Sequence, residues 1–229
     1  MRTIRPPLPS ILTALLFATF LAGCGGEAEK EPQEPPPNPL LQPRNFNETA
    51  PAEYGVRLET TKGDIFIRVH RDWAPLAADR FYNLVKAGFY DGMAFHRVLD
   101  NFVAEWGIHG DPWVNAAWRQ AEMLDEPVRQ SNTRGRVSFS KNRPNSRTVQ
   151  VFINLKDNSS LDGEGFSPFG EVVEGLDVAD SLYSEYGDGP PRGEGVYQAM
   201  AIAKGDEYLE AEFPLLDRIN QAVLLEGDG

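Results

Sequence analysis

Cysteine is almost missing from this 229-residue chain. Cys24 stands alone, which excludes an internal disulfide and any zinc cluster built on cysteine. Histidine is nearly as scarce: His70, His96 and His109 are the three, and the thirteen-residue gap from His96 to His109, with Asp111 beyond, fits no common metal motif. No run of about 18 apolar residues occurs, so an ordinary transmembrane helix is excluded. Positive charge is in deficit, with 22 Lys+Arg against 34 Asp+Glu and a net charge of −12. That balance argues against a protein that works by neutralising phosphates along a nucleic acid. No internal repeat is found. What the chain does have is apolar material, 41% hydrophobic and 10% aromatic, enough for a real core in one or two domains.

The N-terminal quarter reads as an address. Arg2 and Arg5 precede the apolar run Ile11–Leu21, which has the length of a secretory signal core. The run ends in Leu21-Ala22-Gly23-Cys24, which resembles the cleavage box of bacterial lipoproteins; the resemblance implies removal of residues 1–23 and acylation of Cys24. Gly25 in place of Asp resembles the outer-membrane sorting pattern of Gram-negative lipoproteins. Several acyl chains anchor far better than one, each buried CH₂ contributing roughly 0.8 kcal/mol. Residues 24–53 then read as a tether. Ten of the eighteen prolines lie in the first 51 residues, five of them between Pro32 and Pro39, and such a segment favours extended polyproline II over a packed core.

From residue 54 the pattern changes. Val56, Leu58 and Thr60 alternate with polar neighbours, and Lys62-Gly63-Asp64 turns the chain into Ile65–Val69, which predicts a hairpin. Asp72 and Pro75 open a helix whose buried stripe is Phe81, Leu84 and Val85 and which Gly88 ends. Six further β-type runs follow at Ala94–Leu99, Phe102–Ile108, Arg136–Ser140, Thr148–Leu155, Phe169–Val173 and Val196–Ala203. Helices are predicted over Leu176–Tyr183 and Leu209–Leu224, with Pro214 starting or kinking the latter. Eight short strands and two or three helices suggest a closed antiparallel barrel with helical plugs. Gly165-Phe166-Ser167-Pro168-Phe169 lacks the last glycine of a hydrolase elbow.

At Phe95-His96-Arg97-Val98-Leu99 the sequence resembles the cyclophilin family of peptidyl-prolyl isomerases. The resemblance continues through Asn101-Phe102-Val103, Gly110-Asp111, Gly135-Arg136-Val137-Ser138-Phe139, Gln150-Val151-Phe152-Ile153-Asn154-Leu155, Leu161-Asp162-Gly163 and Phe169-Gly170-Glu171-Val172. It implies a mainly β fold: a closed eight-stranded antiparallel barrel capped by two helices over residues 54–205, followed here by a C-terminal helical extension over 206–229. It also implies proline-containing peptides as partners, with no cofactor and no metal; the charge balance speaks against nucleic acid, and nothing in the sequence requires more than a monomer.

The chemistry such a protein performs explains which residues matter. Rotation about an X-Pro bond meets a barrier of roughly 18–20 kcal/mol because amide resonance must be broken. No bond is made or cut, so neither nucleophile nor metal is needed. A catalyst grips the proline ring in an apolar pocket and directs a fixed donor at the amide nitrogen, whose lone pair localises in the twisted state; a guanidinium suits that role. The resemblance puts the catalytic arginine at Arg97 and the proline pocket at Phe102, Val103, Phe152 and Leu161. It puts substrate-backbone contacts at Ser140 and Gln150, and an arginine-orienting side chain at Glu105. Three of these depart from the family pattern. Glu105 replaces a glutamine, Val103 replaces a larger methionine, and Ser140-Lys141-Asn142 replaces an Ala-Asn-Ala type segment. Two readings follow: an isomerase that assists folding of exported proteins at the cell envelope, lipid-anchored at the periplasmic face of the outer membrane, or a catalytically weak, tethered proline-peptide scaffold or holdase.

Overall fold

In the computed structural model, residues 38–225 are described. Strand β1 (Glu53–Thr60) buries every second side chain and pairs antiparallel with β2 (Gly63–His70) from Glu53↔His70 to Thr60↔Gly63. The turn is thus the two residues Thr61-Lys62, one position earlier than the sequence suggests, and the Thr60 hydroxyl donates to the Gly63 carbonyl at 2.6 Å. Helix α1 (Pro75–Lys86) follows, with Phe81, Leu84 and Val85 buried as its spacing predicts and Gly88 beyond its end at φ +67°.

The remaining strands are β3 (Arg97–Leu99), β4 (Val103–Trp106), β5 (Arg136–Phe139), β6 (Val151–Asn154), β7 (Pro168–Glu174) and β8 (Ile219–Leu225). They form one antiparallel sheet in the order β3-β4-β6-β5-β7-β2-β1-β8. The sheet curls around Phe81, Phe95, Trp106, Phe139 and Phe169, all fully buried, and α1 plugs one side through the Phe81–Phe169 contact at 5.1 Å. Closure is less complete than expected. The edges β3 and β8 share no ladder; the residues just before them meet at the isolated bridge Ala94↔Arg218, reinforced by Phe95 N–H to Asp217 O and Ile219 N–H to Met93 O.

Short helices complete the domain: α2 (Pro112–Trp118), α3 (Ser160–Gly163), α4 (Leu176–Asp180), α5 (Gln198–Lys204) and α6 (Asp206–Glu212). Two expectations are corrected here. Residues 196–203 are not a strand: from Gln198 the run QAMAIAK is helix, and its Ala, Gln, Met and Lys are good helix formers. The predicted helix over 209–224 is two different elements. Helix α6 ends before Pro214, which disfavours helical geometry at Phe213, and residues 219–225 are the eighth strand, paired along β1. The expected strand total survives only because one strand is lost and another gained.

The segment read as tether is packed from residue 38 onward. Two 3-10 turns, Pro39–Leu41 and Pro43–Asn45, lead to Phe46, whose ring lies 5.6 Å from that of Trp118. The Trp118 indole N–H donates to Leu40 O at 2.8 Å, and the Asn83 side chain holds the backbone of Glu48 through both its groups.

Candidate active site

Four strands present one row of side chains on the face opposite the core. Arg97 on β3 is paired with Glu105 on β4, Glu105 with Phe152 on β6, and Phe152 with Ser138 on β5. Their neighbours Val98, Ala104, Ile153 and Val137 point the other way, into the barrel core. Two residues back along β4, Val103 joins Phe152 and Leu161 in a separate small apolar cluster, with Phe102 and Phe166 packed against it. The rings of Phe152 and Phe166 meet edge to face at 5.8 Å.

Phe102 and Phe166 reach the cluster from loops and Leu161 from α3, and buried amides hold these segments. Asn158 Nδ2 donates to Phe102 O at 2.9 Å and to Asn154 Oδ1 at 2.9 Å. Asn132 Nδ2 donates to Asp162 Oδ1 and to Phe166 O, each at 2.8 Å, while Ser138 Oγ donates to Asn132 Oδ1 at 2.9 Å. Burial works against ionisation of Asp162, but the bonds from Ser131 and Asn132 outweigh it and hold its carboxyl below the usual range. The network fixes Leu161, Phe166 and Phe102 relative to β6, because each buried polar group in it would lose a partner if a loop moved.

Arg97 lies at the rim of this cluster, its guanidinium carbon 5.5 Å from the centroid of the Phe102 ring. The side chain is only 12% exposed. Its Nη1 donates to Glu105 Oε2 at 3.2 Å, its Nε to Asp188 Oδ1 at 2.9 Å and its Nη2 to Asp188 Oδ2 at 3.4 Å. Burial alone would lower the arginine pKa, but the bond it donates to Asp188 and the charges of both carboxylates reverse this, so the guanidinium stays cationic. Glu105 is fixed on its other side by the Ser140 hydroxyl, 2.5 Å from Oε1.

A positioned cation beside an apolar cluster, with no nucleophile attached to it, is the arrangement that amide rotation asks for. The model of the family described as "Cyclophilin type peptidyl-prolyl cis-trans isomerase/CLD" matches residues 55–203. The chain belongs to this family. Curated relatives include a peptidyl-prolyl cis-trans isomerase of Acinetobacter baylyi, 33% identical over 132 residues, covering 56% of this chain and 70% of that protein. Another is peptidyl-prolyl cis-trans isomerase B of Escherichia coli, 33% identical over 135 residues, covering 56% of this chain and 82% of the relative. Among solved structures, a cyclophilin-type isomerase of Cryptosporidium parvum superposes with a TM-score of 0.56 at 20% identity, over 76% of this chain and 99% of the other. Cyclophilin AquaCyp293 of Hirschia baltica gives 0.51 at 20% identity, over 77% and 75%. The family and the enzyme class are therefore those of the cyclophilin-type peptidyl-prolyl isomerases, and β8 lies beyond the matched residues.

In this cyclophilin the structure gathers Arg97, Phe102, Val103, Glu105, Ser140, Phe152 and Leu161 into one neighbourhood. Gln150 lies just before β6, and its carbonyl accepts from the Ser140 N–H at 2.9 Å. Cys24 lies outside the described residues. Two residues at the site were not anticipated. Phe166 packs against the Val103–Phe152–Leu161 cluster, yet in the sequence it stands out only inside a failed hydrolase-type motif. Asp188 comes from a glycine- and proline-rich loop 91 positions from Arg97, and nothing in that loop's composition announces it. His96, next to Arg97, is fully buried with neither ring nitrogen bonded, and burial lowers its pKa to about 4. Among the described residues no group of three or more His, Cys, Asp and Glu gathers as a metal site. Shallow concavities elsewhere, about 150 Å³ beside Phe46 and Arg80 and about 300 Å³ beside Lys86 and Val223, bring together no comparable pairing of cation and apolar cluster.

Proposed function

We propose that this cyclophilin accelerates cis-trans exchange of X-Pro bonds in exported polypeptides, tethered by an acylated Cys24 at the periplasmic face of the outer membrane. The observation that carries the catalytic part is the Arg97 guanidinium at the rim of the Phe102–Val103–Phe152–Leu161 cluster. Of its five N–H groups, three are committed to carboxylates and two remain. With the proline ring seated against the cluster, those two face the amide. As the amide twists and its nitrogen lone pair localises, a fixed donor stabilises the twisted state more than the planar one. Ser140 and Gln150 hold the flanking peptide backbone. The Cryptosporidium parvum relative has also been solved in the presence of the dipeptide Ala-Pro, which supports proline peptides as the ligand class.

The envelope location draws on Arg2, Arg5, the Ile11–Leu21 run and the box ending at Cys24. The second reading, a weak proline-peptide holdase, draws on the two carboxylates that share the Arg97 charge. The deciding experiment is a proline exchange assay on the full chain in mild detergent, comparing wild type with Arg97→Lys and Arg97→Ala. Exchange faster than spontaneous in the wild type and lost in both variants is the expected result. No acceleration by a folded wild type that still binds proline peptides would favour the holdase. Acyl labelling of the expressed chain, lost in Cys24→Ser together with membrane association, is the expected result for the anchor.

A further inference from the structure

Glu105 alone cannot fix the arginine. One bond at Nη1 leaves a guanidinium free to swing about its side-chain torsions, and the carboxylate at the other end is tied to Ser140. The second restraint comes from the segment between α4 and α5. Asp188 grips the opposite edge of the guanidinium through Nε and Nη2, the side-on geometry that fixes both the plane and its direction.

The segment carrying Asp188 is built to hold position. The Asp188 carbonyl accepts from Gly195 N–H at 2.9 Å, and the Gly189 carbonyl accepts from both Arg192 and Gly193. These closures need bare glycine: a Cβ on Gly189 would lie 2.1 Å from Val196 O, and one on Gly193 2.3 Å from Asp188 O. On either side the loop is nailed to a second apolar cluster, by Val196 next to Ala94, Ile108 and Phe213, and by Tyr186 with its ring 5.0 Å from Phe213. Arg192 balances the carboxylate from the solvent side, Nε to Asp188 Oδ2 at 3.0 Å, and Gly189 N–H donates to Oδ1 at 3.1 Å. Two formal positive charges therefore face two negative ones.

We infer that Asp188 is a positioning residue of the isomerase site: its carboxylate, with Glu105, locks the Arg97 guanidinium so that its two uncommitted N–H groups stay directed at the proline amide. This rests on the isomerase reading of Arg97. Asp188 touches no substrate; it acts through the direction of Arg97.

The test uses the full chain in mild detergent with Asp188→Ala and Asp188→Asn, reading kcat and KM for proline-peptide exchange and the Arg97 Nε–H resonance by ¹⁵N NMR. Asp188→Ala is expected to lower kcat about tenfold, the equivalent of about 1.4 kcal/mol of transition-state binding, with KM unchanged. The Arg97 Nε–H, protected from solvent exchange in the wild type, is expected to exchange rapidly in the variant while the rest of the spectrum stays in place. Asp188→Asn, which keeps the acceptor for Nε and the bond from Gly189, is expected to retain part of both properties. If the alanine variant does not fold, the asparagine variant decides: wild-type kcat with Nε–H protection lost overturns the proposal. So does a rise in kcat in either variant, which would make Asp188 a restraint on Arg97 rather than its guide. Absence of turnover in the wild type is a separate result, and overturns the isomerase reading itself.

Discussion

Arg97 is held by two anions while itself nearly buried, and this couples its chemistry to stability. Removing the guanidinium leaves Glu105, 8% exposed, without its counter-charge. Arg97→Ala is therefore expected to destabilise the fold by about 3 kcal/mol, the scale for breaking a buried pair, read from urea denaturation. Arg97→Lys, which keeps the charge, is expected to cost clearly less, so loss of turnover in both variants reports on the guanidinium rather than on unfolding. Glu105→Gln makes a complementary case. An amide can still accept from Arg97 through its oxygen and donate to the Ser140 hydroxyl, while relieving the arginine of one of its two anions. Activity equal to or above wild type in the exchange assay is expected; a collapse would show that the negative charge itself is required. Arg97, Phe102, Phe152 and Leu161 were visible in the sequence because they fall within the segments that resemble the cyclophilin family. Asp188 and Phe166 were not, because their parts in the site depend on where two loops return to the sheet.

Helix α1 shows the same limit at the level of an element. Its position, buried stripe and end were readable from spacing, Pro75 and Gly88. Its N-terminal cap was not. Asp72 is not the cap; Ala74 occupies that position and offers no side-chain acceptor. The orphan N–H groups of Leu76 and Ala77 donate instead to Glu126, at 2.7 and 3.1 Å, from about fifty positions along the chain. Glu126 is in turn held by the buried Arg147 at 3.0 Å, which also donates to the Leu124 carbonyl. Glu126→Ala is expected to lower stability by about 2 kcal/mol, combining a lost cap with a buried arginine left only the Leu124 carbonyl and the longer Asp125 pair at 3.8 Å, and to shift the urea midpoint without changing the m-value. The C-terminal stripe failed for a different reason. Leu209, Phe213 and Leu216 do sit at helical spacing and are buried, but Pro214 breaks the helix, and Ile219 and Ala222 are buried by strand pairing instead. Apolar spacing records burial; it does not record which backbone delivers it.

Taken whole, the molecule is poorly suited to acid. A histidine whose folded pKa is lowered binds fewer protons than its unfolded counterpart between the two values. The His96 contribution is thus complete above about pH 6.5 and is lost as pH falls toward 4. Asp125, Asp162 and Asp188 are held below their ordinary values; for each, burial opposes ionisation but hydrogen bonds prevail, joined at Asp125 and Asp188 by neighbouring cations. Their contributions are present above about pH 4 and are lost below it. Stability from urea titrations is expected to be flat near neutrality and to fall steadily below pH 6.5. In His96→Phe the part of that fall between 6.5 and 4 is expected to shrink by roughly 3 kcal/mol.

The pairing of β1 with β8 sets the order in which the domain can be completed. Gly55 lies opposite Leu225, so the first of the described strands waits for the eighth. A chain emerging N-terminus first, from a ribosome or through a translocation channel, can form the β1–β2 hairpin early but cannot cover the far edge of β1 until the end. A contact of such long sequence separation carries a large loop-closure cost and belongs to the slow, late part of folding. Truncation at residue 205, where the sequence alone would end the barrel, deletes β8 and is expected to yield a chain that unfolds at far lower urea, with those amides of Gly55–Thr60 that point away from β2 exposed to hydrogen exchange. Until β8 arrives this cyclophilin carries an open β-edge along β1, a stage at which another unpaired strand could take the place of its own.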